Sequence, residues 1–470
     1  MPDLAVETTP IPGLLVVRLA VHADARGWFR ENWQREKMVA LGLPDFDPVQ
    51  NNVSYNTRRG STRGIHTEPW DKFVSVTGGR AFGAWVDMRD GESYGATFSV
   101  ELDDSTAVFV PRGVGNSYQT LDDGVAYSYL VNQHWQPGLV YPALDLADPD
   151  AAISWPIPLD EAEISDKDRA NPRLADAVRM QPRTTLVVGS KGQLGRALLA
   201  AFPDAVGVDL DELDVSDPDA VAAWPWHEHD VVLNAAAFTA VDQAETPEGR
   251  VAAWTANAAA PAALARVADQ HRLTLVHYST EYVFDGTRAP HDESEPLSPL
   301  GVYAQSKAAG DLAVATAKRH YVLRTSWLIG DGHNFVRTMA RLARDGVSPN
   351  VVDDQVGRLT FTTELARATR HLLESRAAHG VYHCSNGGEP MSWADVAARV
   401  FALCGRDAAD VGRVTTEEYY AGKALAPRPL LSAFDLGKLA ATGFASEDAV
   451  VALERYVAEL EPATDSAARP

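Results

Sequence analysis

Cysteine is nearly missing from this chain: Cys384 and Cys404 are the two present in 470 residues. Two thiols cannot build a disulfide framework, which excludes a small disulfide-stapled scaffold and fits a reducing compartment. No apolar run approaches the length needed to span a bilayer. The start, Met1-Pro2-Asp3-Leu4-Ala5, lacks the basic-then-apolar pattern of a signal peptide. A cytoplasmic protein with no membrane partner is expected. Cations are also scarce: 42 Lys and Arg face 64 Asp and Glu, a net charge of −22. A reader of nucleic-acid backbones needs a basic face, so no nucleic acid is expected as a partner. An anionic small ligand is not excluded, because it needs only a few local arginines. What is there is an ordinary globular balance, 46% hydrophobic and 23% charged with 11 Trp. The chain is too long for one core, and two or three domains are expected.

The pattern changes along the chain. Up to about residue 155, short alternating runs recur, such as Leu15-Val16-Val17-Arg18-Leu19, Phe98 to Leu102, Ala107 to Val110 and Ala126 to Leu130. Gly- and Asp-rich clusters (Arg89-Asp90-Gly91, Asp122-Asp123-Gly124) separate them. Many short strands at regular spacing predict a β-sandwich or barrel. Pro156, Pro158, the charged run from Asp160 to Arg169 and the stretch from Asn171 to Arg183 read as tail and linker. From Thr185 onward, apolar strands (Leu186–Val188, Val231–Leu233, Leu273–His277, Tyr321–Arg324) alternate with Ala-rich helical segments (Arg196–Ala201, Ala252–Gln270, Ser306–Lys318). That alternation predicts a parallel, doubly wound sheet. Residues 464–470 read as a disordered tail.

In the second half, Leu186-Val187-Val188 runs into Gly189-Ser190-Lys191-Gly192-Gln193-Leu194-Gly195 and then a helical segment. A glycine triplet alone is weak evidence; between a strand and a helix it marks where a dinucleotide pyrophosphate rests on free N–H groups. Asp209, ending the next apolar stretch, could accept a ribose hydroxyl. Asn234-Ala235-Ala236 follows a strand, where small side chains either let the backbone approach a cofactor or merely pack a helix start. Tyr303 and Lys307 are four apart and share a helix face. A lysine ammonium there is expected to lower the tyrosine's pKa, so that the phenol exchanges protons near neutral pH. Ser279-Thr280, ending a buried-looking strand, places a hydroxyl to join them. Glycine turn, strand-end hydroxyl and Tyr/Lys pair in this order describe a short-chain dehydrogenase/reductase.

The likeness narrows with Phe238 to Glu245, Ser279-Thr280-Glu281-Tyr282-Val283-Phe284-Asp285-Gly286, Arg324-Thr325-Ser326-Trp327, Asp354-Gln355-Val356-Gly357 and Arg428-Pro429. Together these resemble dTDP-4-dehydrorhamnose reductase, an extended short-chain reductase with a Rossmann fold. The resemblance implies Thr280, Tyr303 and Lys307 as the catalytic set, with Thr239, Val241 and Trp327 lining the sugar and Arg428 holding phosphate or nucleotide. Gly189, Gly192, Gln193, Leu194, Gly195, Asp209, Asn234, Ala235, Ala236, Tyr303 and Lys307 would hold NADPH or NADH. Asp209 favours NADH, both stay open, and so does use of Mg²⁺. Glu281 stands where that family usually has Asp, and Leu359 where it usually has Pro.

In the first half, Asp24-Ala25-Arg26-Gly27-Trp28-Phe29-Arg30-Glu31, the polar Gln50-Asn51-Asn52, Thr62-Arg63-Gly64-Ile65-His66, Lys72-Phe73-Val74 and the late Asp166-Lys167-Asp168 resemble dTDP-4-dehydrorhamnose 3,5-epimerase, a cupin-like jelly-roll barrel. The resemblance implies His66 as base, oriented by Asp168. Tyr129, six before Trp135, would be the acid on the opposite sugar face, and Lys72 would face the enolate oxygen. Arg26, Glu31, Gln50, Asn52 and Arg63 would bind substrate. Protons beside a C4 ketone are acidic enough for an imidazole base, provided a cation meets the enolate. No metal is expected, since His66 lacks the clustered ligands of a metal site. Asn116 stands where that family usually has a second active-site His, Thr67-Glu68 replaces an aromatic and Gln, and Trp135 replaces a tyrosine.

The expectation is therefore a two-domain chain: residues 1–172 a sugar epimerase, 173–184 a linker, 185–463 an NAD(P)-dependent reductase. It would epimerise dTDP-4-dehydro-6-deoxy-D-glucose at C3 and C5, then reduce the C4 ketone to dTDP-L-rhamnose, as a homodimer through the barrel. The alternative keeps the reductase active beside a non-catalytic epimerase-like domain, or one of altered specificity acting on another 6-deoxy-4-ketohexose.

Overall fold

The computed structural model describes residues 4–134 and 141–460. Met1-Pro2-Asp3, Trp135 and the tail 464–470 lie outside the described residues. The chain divides into two compact units, Met1–Pro182 and Arg183–Pro470.

The first unit is two antiparallel sheets face to face. One orders its six strands Ala5–Thr8, Leu15–Arg18, Thr106–Val110, Lys72–Gly78, Val125–Val131, Gln50–Asn56; the other orders four as Thr62–His66, Val114–Thr120, Ala81–Asp87, Thr97–Leu102. Alternation places every second side chain inside. Val16, Val74, Val108 and Tyr127 from the larger sheet thus meet Trp85, Val114 and Tyr118 from the smaller in one core. Tyr118 and Tyr127 stack across the interior, centroids 4.0 Å apart. The stretch after residue 155 folds back on this unit. There Ser165 caps the short helix Asp166–Arg169 by accepting from the Asp168 N–H. The segment 173–184, read as a linker, is not loose: Leu174 and Met180 are buried, and Met180 exchanges backbone hydrogen bonds with Met88 and Asp90.

The second unit is built on a six-stranded parallel sheet, ordered Val206–Val208, Thr184–Val188, His229–Asn234, Thr274–Thr280, His320–Thr325, Gly380–Cys384. The order reverses at Thr184–Val188, which opens a crevice beyond the carboxyl ends of the strands. The helix expected over Ala252–Gln270 is broken into Pro247–Trp254, a π-turn Thr255–Ala259 and Ala260–His271. The cause is Asn257, fully buried, whose amide binds both the N–H and the carbonyl of Phe238 and the Ser306 hydroxyl. The widened turn ties the helix to the loop after His229–Asn234 and to the helix Val302–Val314. Among the described residues no helix is long and apolar enough to cross a membrane. Both cysteines are free.

Candidate active sites

In the second unit the helix Gln193–Ala201 begins at Gly192, which offers no side-chain cap, so its first N–H groups remain available. Gly189 has φ +78°, and a Cβ there would lie 2.7 Å from Ala236 N. At Gly195 a Cβ would lie 2.2 Å from the Gly189 carbonyl oxygen. Both positions exclude a side chain, which keeps the turn tight enough for a pyrophosphate to reach the helix terminus. This cradle fits a dinucleotide. It opens on a cavity of about 710 Å³ walled by Gly192, Gln193, Leu194 and Ala235 at one end and by Thr239, Val241, Thr280, Tyr303, Lys307 and Trp327 at the other.

Other expected cofactor and sugar residues do not line this cavity. Gly189, Gly195 and Ala236 shape the turn. Asp209 accepts from the Lys191 N–H at 3.0 Å, while the Lys191 ammonium pairs with Asp211 at 2.7 Å. Arg428 pairs with Asp242 at 2.9 Å and donates to the Tyr420 hydroxyl at 2.8 Å. Asn234 is buried against His277 and touches no cofactor space. Lys307 donates to the Tyr278 carbonyl at 2.6 Å and reaches His277 Nε2 at 3.3 Å. With Nε2 accepting, the ring proton of this neutral, buried histidine sits on Nδ1, so Asn234 must turn its oxygen there. That orientation also gives a partner to Asn234 Oδ1, otherwise unsatisfied. Asn234 thus stands behind His277 and Lys307 and not on the cavity wall.

The expected electrostatics of the Tyr/Lys pair are corrected. Burial pulls the Lys307 ammonium down to about 8. Tyr303 keeps part of its ring open to the cleft, yet desolvation, then the Glu281 carboxyl, pushes its phenol above the ordinary value, against the lowering effect of the nearby Thr280 hydroxyl. The shared helix face is real, but the ammonium is turned toward Tyr278 and His277 and burial dominates. Sequence reasoning missed Trp393, which stacks on Trp327 with centroids 3.8 Å apart. Nothing local could have signalled it. Among the described residues no three His, Cys, Asp or Glu side chains gather to hold a metal ion.

In the first unit, His66 Nε2 lies 2.7 Å from Asp168 Oδ1. Burial opposes ionisation of Asp168, but the hydrogen bond and charge of His66 hold its carboxyl below the usual range. The carboxylate therefore accepts from Nε2–H and leaves Nδ1 with its lone pair. Asn116 stands directly opposite His66 in the sheet, and its Oδ1 accepts from Trp85 Nε1 at 2.9 Å and the Tyr127 hydroxyl at 3.0 Å. Tyr129 follows two residues on, with Lys72 Nζ 5.5 Å from its ring centre. Burial, then the Glu68 carboxylate, raises the Tyr129 phenol. Lys72 is paired with Glu68 at 2.5 Å, an ion pair that the sequence reading did not foresee.

Asn52 faces Tyr129 across the strands, Gln50 donates to Asn52, and Arg63 extends from the His66 strand to Asn56. Arg26 and Glu31 are not brought to this cluster within one chain. Arg26 is bound to Asp24 with its side chain 90% exposed, and Glu31 pairs with Lys37 beside a separate small cavity. The reason is the hairpin Val21–Asp24 and Gly27–Arg30, which among the described residues pairs only with itself.

Residues 8–176 match the family model described as dTDP-4-dehydrorhamnose 3,5-epimerase, and residues 183–461 the one described as RmlD substrate binding domain. Over 184 residues the chain is 45% identical to the RmlC homolog of Streptococcus pyogenes, covering 38% of this chain and 92% of that protein. Over 269 residues it is 40% identical to a probable dTDP-4,6-dihydroxy-2-methyloxan-3-one 4-ketoreductase of Streptomyces antibioticus, covering 55% and 89%. A solved dTDP-4-dehydrorhamnose reductase of Bacillus anthracis, in complex with NADP, is 32% identical with TM-score 0.55, covering 59% of this chain and all of that one.

Proposed function

Since the chain belongs to the dTDP-4-dehydrorhamnose 3,5-epimerase family over residues 8–176 and to the RmlD substrate-binding-domain family over 183–461, we propose that it performs both steps on one ketosugar. Epimerase and reductase domains of dTDP-rhamnose biosynthesis are fused in it. The observation that carries the reading is that each domain holds its own proton-handling cluster, His66–Asp168 with Tyr129 and Thr280–Tyr303 with Lys307.

In the barrel, His66 Nδ1 takes a proton from the carbon beside the C4 ketone, and Asp168 stabilises the imidazolium that forms. Lys72 meets the enolate oxygen, and Tyr129 returns a proton on the other face, inverting the centre. In the reductase, a reduced nicotinamide supplies hydride to C4 when bound. Tyr303 gives the alkoxide its proton, Thr280 orients the phenol, and Trp327 stacked on Trp393 offers the sugar a flat wall. Gly192 and the helix N-terminus behind it would hold the pyrophosphate. Asp209 supports recognition of a free ribose hydroxyl, and the Lys191 ammonium beside it supports a 2′-phosphate, so both NADH and NADPH are proposed as cofactors.

A homodimer through the barrel is proposed from its edge. The outer strand Gln50–Asn56 exposes Val53 (62%) and Tyr55 (63%), and the Arg26 hairpin exposes Phe29 (66%). A second copy would also give Arg26 and Glu31 a surface to meet. The test of the function is incubation with dTDP-4-dehydro-6-deoxyglucose and each reduced nicotinamide, with NMR of the nucleotide sugar. dTDP-L-rhamnose is expected; an untouched ketosugar with either cofactor overturns the reading. A second reading, another 6-deoxy-4-ketohexose, is favoured by the Streptomyces antibioticus relative and by Asn116, and the same spectrum would reveal it as a different product.

A further inference from the structure

Glu281 has almost no access to water: it is 4% exposed, in the wall of the reductase cleft. Thr280 donates its hydroxyl to Glu281 Oε2 at 2.8 Å, and the backbone of Trp327 lies close enough to the same carboxyl to lower it. Thr280 also stands beside the Tyr303 phenol on the wall of the same cavity, close enough to lower it. A threonine hydroxyl carries one proton and can donate to one of these oxygens at a time. With Glu281 ionised, Thr280 donates to the carboxylate, and the phenol gives its hydrogen bond back to Thr280, away from a substrate. With Glu281 protonated the chain reverses. Glu281 donates to Thr280, Thr280 donates to Tyr303, and the phenolic proton is left for the ketone oxygen.

We propose that Glu281 is a positioning residue that sets the direction of the Thr280–Tyr303 hydrogen-bond chain, its protonated form being the one competent for reduction. The same chain restores the phenol. As the Tyr303 O–H bond breaks and its proton joins the C4 alkoxide, the Thr280 proton passes to the phenolate oxygen and the Glu281 proton to Thr280. The carboxylate then takes one proton from water before the next turnover. Burial pushes Glu281 up to about 7, the Thr280 hydrogen bond opposing it, so both forms are populated near neutrality. The titratable groups that feel its charge are Tyr282 on its own turn and Tyr303 on the packed helix. Arg428 acts on Tyr282 from the far side, and Lys307, in the same cavity, is turned to Tyr278 and His277.

The inference rests on the reductase reading, so its test separates the two. kcat/KM for ketosugar reduction is followed from acid to mildly alkaline pH in the natural protein and in Glu281→Gln, whose amide donates to Thr280 at every pH. The natural enzyme is expected to lose about tenfold per pH unit once Glu281 ionises. Glu281→Gln is expected to lack that fall, whatever its absolute rate, while the later loss at Lys307 persists in both. In cofactor-free protein, an infrared carboxylic-acid band that titrates with the same midpoint and vanishes in Glu281→Gln is expected. An unchanged fall in Glu281→Gln, or no such band, overturns the proposal while leaving the reductase standing. Absence of reduction at any pH in the natural protein overturns the functional reading itself. Should Glu281→Gln fail to fold, Glu281→Asp serves: fall and band must move together, and a fall that stays while the band moves refutes the idea.

Discussion

Replacing Asp168 with Asn keeps the shape of the side chain and removes its charge and one acceptor oxygen. The side chain is 6% exposed against 41% for His66. It is held by the Gly64 N–H at 3.3 Å, and its own N–H is capped by Ser165 at 3.1 Å. An amide of the same shape fits the space, with its one oxygen accepting either from His66 Nε2–H or from the Gly64 N–H. What disappears is the negative charge 2.7 Å from His66 Nε2, which stabilises the imidazolium once a carbon-bound proton has been taken. A hydrogen bond to a charged group contributes about 1.5–3 kcal/mol. At about 1.4 kcal/mol per factor of ten, proton exchange at C3 and C5 should fall on the order of 10- to 100-fold. The loss would be deeper if the amide turned its NH₂ toward Nε2, because the ring proton would then sit on Nδ1, the nitrogen needed as base. The assay is deuterium incorporation into the 4-ketosugar in D₂O without nicotinamide, read by NMR. In parallel, reduction of pre-epimerised ketone with NADPH should be unchanged. Undiminished exchange would refute the role given to Asp168. A parallel loss of reduction would refute the division of labour between the two domains.

Tyr303→Phe should do the converse, abolishing reduction at C4 while leaving deuterium exchange at C3 and C5 intact; residual reduction at the natural rate would remove Tyr303 as proton donor. Glu68→Gln should release the Lys72 ammonium from its 2.5 Å ion pair and speed exchange severalfold; slower exchange would mean that Glu68 holds Lys72 in position instead. Lys307, pulled from 10.5 to about 8 by burial, binds fewer protons folded than unfolded between those values. It therefore costs stability below pH 8, and the cost fades as pH rises toward 10.5. Lys307→Met should abolish reduction yet stabilise the cofactor-free fold at neutral pH by up to about 3 kcal/mol. Urea unfolding at pH 7 and at alkaline pH checks it, and a less stable variant at pH 7 would contradict the sign.

The sequence by itself determined the two architectures, because the signals are local. Period-two runs such as Leu15–Arg18, cut by Gly and Asp turns, can bury only one face and so demand a second sheet. After Thr184 the change to apolar strands followed by long Ala-rich helices demands crossovers, and hence a parallel sheet. The glycine turn and the Tyr303–Lys307 spacing were legible for the same reason: each lies within one or two turns of chain. Tertiary structure alone decided what these groups are chemically. It brought Asp168 to His66 across 102 residues, laid Trp393 on Trp327, turned Arg428 to Asp242 and gave Lys72 to Glu68. It also reversed the expected state of Tyr303 and raised Glu281, because desolvation depends on every atom packed around a group, and many of those atoms come from distant parts of the chain.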